Sequence, residues 1–277
     1  MEFLSYHINK RLKYILNKIE YFGLKIYYRN ISKHSISEII KKNRNILSTV
    51  DEFLPKEVFS ETDYGLQTRI HLNLDKQICN LPTYSDLMIY IIDKHIEELK
   101  YLEIGASVLK NFMQICNYFP NTKNYVYDIN PINPKFDDLF KKENITYFKG
   151  NVLSDIETEF FKQNLNEKFN FIFSDALHTP YGVVTEFNNI TKELLDDKFI
   201  IYFDDYDFKG LGETINSIAA DMSTRYEEIN LYTFNIYGWI GQYEKTHKNA
   251  IISNINLRDT LKIDLNLYKF KQVDYDI

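Results

Sequence analysis

Two short stretches of the 277-residue chain end in residues able to do chemistry. FNFIFSDALH carries an apolar run, Phe169 to Phe173, into Ser174, Asp175 and His178. KFIIYFDDYD carries a second, Phe199 to Phe203, into Asp204, Asp205 and Asp207. Carboxylates are hard oxygen donors, so Asp175, Asp204 and Asp205 together suit Mg²⁺. An imidazole three residues past Asp175 suits proton transfer near neutral pH, which makes His178 the candidate general base. Asp207 reads as a turn residue. Upstream, Glu103 and Gly105 sit at a strand-to-helix turn, where free backbone N–H groups accept a ligand's polar atoms. Asp128 follows about 25 residues later, the place where an acid grips ribose hydroxyls.

These residues need a scaffold that brings strand ends together. From residue 100 the chain alternates strands and helices. Strands are expected at Tyr101 to Ile104, Asn124 to Tyr127 and Thr146 to Phe148, then in the runs ending at Asp175 and Asp204. Helices are expected at Leu109 to Tyr118, Asp137 to Lys142, Gly182 to Leu195 and Leu211 to Met222. That alternation predicts an α/β fold, a doubly wound, mostly parallel sheet. Past Arg225, the segments Leu231 to Phe234 and Asn249 to Ile252 read as an antiparallel edge. In such sheets ligands bind beyond the carboxyl ends of the strands, where the acids lie.

The N-terminal third reads differently. Leu4, Ile8, Leu12, Ile15, Ile19 and Phe22 follow a helical rhythm, and a second helix is expected from Ser37 to Val50. Residues 1–45 hold ten Lys/Arg against three Asp/Glu, whereas the whole chain carries −6. A basic helical extension over 1–82, serving as a lid or an oligomer contact, therefore precedes a catalytic domain over 83–277. The acidic total argues against general nucleic-acid binding. The expectation is a cytoplasmic chain, with no signal peptide, no transmembrane run and Cys79 and Cys116 as reduced thiols. His7, His34, His71, His95 and His247 lack acid or thiol company and are assigned no chemistry. Tyr84, Tyr181, Tyr206 and Trp239 lie in or near loops facing the expected crevice, where aromatic faces suit a sugar ring, while ordinary packing is the favoured role for any one of them.

LEIGAS, the acid in YVYDIN, the turn FKGNVLSD and FNFIFSDALH resemble, in order and spacing, the class I S-adenosylmethionine-dependent methyltransferases. The resemblance implies Glu103, Gly105, Ala106 and Ser107 near the methionine, Asp128 on the ribose, and Asn151 and Val152 by the adenine. Ser107 and Leu109 stand where the family has further glycines, and Asn151 where it has an acid. SDALH with IIYFDDYD further resembles the metal-dependent O-methyltransferases of the catechol and macrolide-sugar type, over about residues 83–252. That implies Mg²⁺ on Asp175, Asp204 and Asp205, with Asp175 also bordering the cofactor. His178 would be the base, and the acceptor a hydroxyl of a sugar, glycoside or related small molecule. The alternative is a non-catalytic methyltransferase-like scaffold. A lesser option is hydrolytic or hydroxylase-like chemistry on the same fold.

Overall fold

A computed structural model describes residues 38–43, 45, 82–106, 109–131, 144–237, 246–258, 260–261 and 274–275. The expected helices at 3–26 and 137–142, Ser107, Trp239 and most of the 1–82 extension lie outside these residues, as do His7, His34, His71 and Cys79.

The first helix of the core, α1 (Tyr84–His95), starts at a Thr83 cap whose side chain accepts from Asp86 N, while Asp86 accepts from Thr83 N in return. This reciprocal pair satisfies two N–H groups that the first turn leaves open. The chain continues through β1 (Lys100–Ile104), α2 (Lys110–Tyr118), β2 (Lys123–Asp128), β3 (Ile145–Lys149) and α3 (Asp155–Gln163) to β4 (Phe169–Ser174). The segment expected as one helix from Gly182 starts at Pro180, the favoured first helical position for proline, as α4 (Pro180–Glu186). It passes through a π-helical turn at Phe187–Thr191 and ends as α5 (Lys192–Leu194). Leu195 opens β5 (Leu195–Phe203), which precedes α6 (Leu211–Ser223), β6 (Asn230–Tyr237), β7 (Thr246–Ser253) and the two-residue β8 (Asp274–Tyr275).

The sheet runs β3-β2-β1-β4-β5-β7-β6-β8. β1 to β5 pair in parallel, and β7 joins β5 antiparallel. The fold is the expected doubly wound sheet with an antiparallel edge. β7, not β6, lies beside β5, so the hairpin folds back into the sheet. Both faces are covered, which is why β4 and β5 read as unbroken apolar runs. One face packs Phe171, Phe173, Ile200 and Tyr202 under α1 and α2. The other packs Ile172, Phe199, Ile201 and Phe203 against Phe161 of α3, Val183 of α4 and Ile215 of α6. Fully burying one such side chain is worth about 1.5–3 kcal/mol, so the strands bearing the acids belong to the most firmly held part of the chain.

Residues 38–43 and 45 are helical, within the span expected from Ser37. Asn43 Nδ2 donates to Asp86 Oδ1 and to Gln114 Oε1, both at 2.8 Å, and so ties this helix to α1 and α2 through buried polar groups. No helix among the described residues is long and apolar enough to cross a membrane.

Candidate active site

Strand order reverses between β1 and β4, and the candidate residues collect at that point. Gly105 leaves β1 with φ +86°, and a Cβ built on it would lie 2.4 Å from Asp175 O. The turns after the two strands are therefore in direct contact. Gly105 N donates to Tyr127 O and Asp175 N to Ile104 O, each at 2.9 Å, which stitches the ends of β2, β1 and β4 together.

Glu103 points to the α1/α2 side and is 1% exposed. Its Oε2 accepts from the Tyr101 hydroxyl and from Asn111 Nδ2. Ser85 in turn donates to Asn111 Oδ1 at 2.7 Å, so a buried polar line runs from α1 through α2 to β1. Burial pushes the Glu103 carboxyl up to about 8, against the pull of those two donors. Ala106 is buried beside it. Asp128 ends β2, and its Oδ1 accepts from Asn130 N at 2.8 Å and Asn130 Nδ2 at 3.1 Å, an Asx turn. Asn151 Oδ1 accepts from Leu153 N at 2.9 Å, and Val152 is buried next to it. The turn after β3 thus spends one of the two lone pairs that Asn151 could offer an adenine amino group.

The chemical half lies across β4 and β5. Register pairs Ser174 with Phe203, so Asp175 and Asp204 follow adjacent strand ends. His178 Nδ1 is 3.1 Å from Asp205 Oδ2, and its Nε2 is 3.6 Å from Asp175 Oδ1. The hydrogen bond with Asp205 raises the His178 pKa above its ordinary value. Burial, and then the charges of Asp204, Glu103 and Asp205, push Asp175 well above the usual carboxylate range. Asp204 Oδ1 accepts from Asn249 Nδ2 at 2.6 Å. Asp205 adopts a left-handed turn conformation, φ 55°, which aims it back toward His178. The ring of Phe208 meets His178 edge-on, with centroids 6.3 Å apart.

The donor set suits a hard divalent cation in chemistry, because three carboxylates follow neighbouring strand ends and a cation would relieve the repulsion felt by Asp175. Among the described residues, though, no three His, Cys, Asp or Glu side chains are gathered as around an ion. Asn249 takes one oxygen of Asp204, and Asp205 turns to His178.

Two groups escaped the sequence reading. Glu186, the last residue of α4, is 1% exposed, and its Oε2 has no hydrogen-bond partner among the described residues. Burial pushes its pKa up to about 8, while the Ser174 hydroxyl and the His178 charge pull it down. Its signal was an acid at the helical spacing of Val183, Phe187 and Ile190. Asn249 gave no comparable signal. Tyr84 packs between Phe173 and Tyr202, the ordinary packing expected of any one of these aromatics, with its hydroxyl within reach of the charges of Asp175, Asp204 and Glu103. Tyr206 donates to Asn216 Oδ1, and Tyr181 is exposed. His95, assigned no chemistry, lies 2.8 Å from Thr260 Oγ1 and is pushed down to about 4 by burial.

No protein-family model matches the chain, and no curated protein matches it. Among solved structures it is similar to the O-methyltransferase TomG of Streptomyces achromogenes, involved in tomaymycin synthesis. The identity is 10%, over 82% of this chain and 93% of that one, with a TM-score of 0.47. It is also similar to the spermidine synthase of Thermotoga maritima, with 13% identity over 70% and 67% and a TM-score of 0.42. For the fibrillarin pre-rRNA processing protein of Methanococcus jannaschii the values are 17%, 56%, 66% and 0.38. At these values the likenesses carry nothing about the reaction.

Proposed function

We propose that the chain is an S-adenosylmethionine-dependent O-methyltransferase, assisted by Mg²⁺, acting on a hydroxyl of a sugar, glycoside or related small molecule. The observation that carries this reading is the meeting of two sets of residues at one reversal of strand order. Glu103, Gly105 and Asp128 of the resemblance to class I methyltransferases lie there with Asp175, His178, Asp204 and Asp205. Ligands of such sheets bind at that point.

S-adenosylmethionine, when bound, supplies the sulfonium methyl group, and Mg²⁺, when bound, supplies positive charge that eases loss of the acceptor's proton. Asp175, Asp204 and Asp205 would hold the metal. Glu103 would face the methionine end and Asp128 the ribose. Asp205 fixes the ring of His178 by accepting a hydrogen bond from Nδ1–H, which leaves Nε2 as the atom that receives the acceptor's proton. Because Asp205 raises its pKa, His178 holds a proton to higher pH than a free imidazole and must lose it before acting as a base. Turnover is therefore expected to climb toward alkaline pH.

Calorimetry of the full chain with S-adenosylmethionine, in the wild type and Asp128→Ala, tests the core of this reading. Saturable binding that Asp128→Ala abolishes supports it. Absence of binding with and without Mg²⁺ would sink it and leave a methyltransferase-like scaffold.

A further inference from the structure

Glu186 is used neither by the sequence pattern nor by the proposed reaction. It closes α4, just before the π-helical turn at Phe187–Thr191, and is buried. Turns of this kind recur at functional sites. The Ser174 hydroxyl holds its carboxyl at the end of β4, whereas Oε2 has no hydrogen-bond partner among the described residues. A buried carboxyl oxygen left unpaired lowers stability unless something arrives to meet it. The charge of Glu186 reaches both Asp175 and His178. Among the described residues, neither Glu186 nor Asp175 is ion-paired with a lysine or arginine; Asp175 has only the imidazole, at 3.6 Å. Asp175 and His178 stay partly open to solvent, so a ligand can reach them from the crevice mouth. What two close carboxyls lack there is a positive charge. A divalent metal asks for about six oxygen ligands at fixed distances, and the described residues gather no group of that kind. An ammonium asks for less: it carries one charge and a few N–H donors, and separate acceptors satisfy it. Phe208, edge-on to His178 and 40% exposed, offers an aromatic surface beside such a cation.

We propose that the crevice takes an aliphatic amine as a methyl acceptor, held as an ammonium by the charges of Asp175 and Glu186, and methylates its nitrogen without a metal. This rests on the S-adenosylmethionine part of the reading above and goes beyond its hydroxyl acceptor. The ammonium gives one proton to His178 Nε2. The nitrogen lone pair then forms a bond to the sulfonium methyl carbon as the carbon–sulfur bond breaks, and the bonding pair stays on sulfur. The products are the methylated ammonium and S-adenosylhomocysteine. A neutral hydroxyl at the same place would bring the acids no charge.

The test offers the full chain two matched pairs, butylamine with butanol and methyl glucosaminide with methyl glucoside, in EDTA and in Mg²⁺. Methyl-labelled S-adenosylmethionine is the donor, mass spectrometry places the label on nitrogen or oxygen, and calorimetry reads cofactor binding separately. The expected result is transfer to the nitrogen of the amines in EDTA, with the matching alcohols untouched there. Glu186→Gln keeps an oxygen for the Ser174 hydroxyl and removes the charge. It should raise the amine KM by about 10–100-fold, with kcat changed far less and cofactor binding kept. An unchanged amine KM in this variant would overturn the role of Glu186, as would a joint loss of cofactor binding and unfolding temperature, the mark of a merely structural residue. Transfer to the alcohols but not the amines, or to amines only with Mg²⁺, would overturn the proposal and leave the hydroxyl reading in place. Cofactor binding with no transfer to either amine would overturn it too. A wild type that binds no S-adenosylmethionine would end both readings. Should Glu186→Gln fail to fold, the wild-type comparison of amine with alcohol decides.

Discussion

Gly105 and Gly210 form a natural pair of experiments. Their φ angles are +86° and +85°, so replacing either by alanine imposes nearly the same backbone strain, about 1–2 kcal/mol. Their surroundings differ. A Cβ at Gly210 would meet only Pro180 Cγ at 3.6 Å, an ordinary contact. A Cβ at Gly105 would sit 2.4 Å from Asp175 O and 2.6 Å from Ala176 Cα. Carbon contacts prefer about 3.5–4.0 Å, so the Asp175–Ala176 backbone must retreat by about 1 Å. It is held by its hydrogen bond to Ile104 O and cannot retreat without loss. Overpacking of this kind adds about 1–3 kcal/mol, which brings Gly105→Ala to about 2–5 kcal/mol against about 1–2 for Gly210→Ala.

Urea unfolding of both variants beside the wild type reads that difference, and calorimetry with S-adenosylmethionine reads its consequence for binding. Gly105→Ala is expected to lose binding, because the displaced strand end carries Asp175. Shifts of about 1 Å at a reacting centre cost on the order of 100-fold in rate. Gly210→Ala should bind as the wild type does. If both variants lost the same stability, the contact between the β1 and β4 turns would be wrong, and with it the argument for one shared crevice.

Other outcomes follow from the charges. Glu103 and Glu186 are both raised to about 8, from an ordinary value of 4.5. The folded state keeps protons that the unfolded state has lost, so stability is greatest below about 4.5 for these groups and falls as pH rises to about 8, with a slope of about 1.4 kcal/mol per pH unit per proton. Glu103→Gln should flatten that fall in denaturant titrations at pH 5 to 8; an unchanged slope would mean Glu103 is ionised in the fold. A protonated Glu103 facing a cationic methionine end should release a proton on binding, and binding heats at pH 7 should then vary with the ionisation enthalpy of the buffer. Heats independent of buffer would place Glu103 away from the cofactor. Asp205→Asn removes the main cause of the raised His178 pKa. The imidazole signal followed by NMR should titrate at lower pH in this variant. The stability lost should be greatest below the ordinary histidine value and vanish as pH rises through the raised one. A histidine titration unchanged by Asp205→Asn would refute the pairing.

The parallel half of the sheet was legible because burial on both faces forces unbroken apolar runs, and the acids at 175, 204 and 205 stand out against them. What periodicity did not carry was pairing. Leu231 to Phe234 and Asn249 to Ile252 read alike as edge strands, and nothing in their alternation says that the later one slots beside β5. That choice is what brings Asn249 to Asp204. The π-helical turn at Phe187–Thr191 was equally hidden, since one added residue per turn barely alters an apolar rhythm. Tyr84 was legible in part. A tyrosine beside a proline and polar residues looks like a loop aromatic, but the Thr83 cap starts the helix at Tyr84 itself, and the ring packs against Phe173 and Tyr202.

The charge of the crevice narrows what it can hold. Glu103, Asp175, Glu186, Asp204 and Asp205 approach one another with His178 as the imidazole among them, and for three of these acids the fold raises the pKa. A glycine turn after β1 and an acid after β2 are also how dinucleotides are bound, but a pyrophosphate brings negative charge and needs glycines that let the backbone approach. Here the backbone at Gly105 is already closed by the Asp175 carbonyl at the distance a Cβ would occupy. A further anion would raise every carboxyl pKa in the crevice. A ligand with a sulfonium and an ammonium, or a divalent cation, does the reverse: it allows the acids to ionise and removes their mutual repulsion. Under the proposed function, the acids that make the free crevice unfavourable for its own charges would favour a cationic ligand over a nucleotide of the same outline.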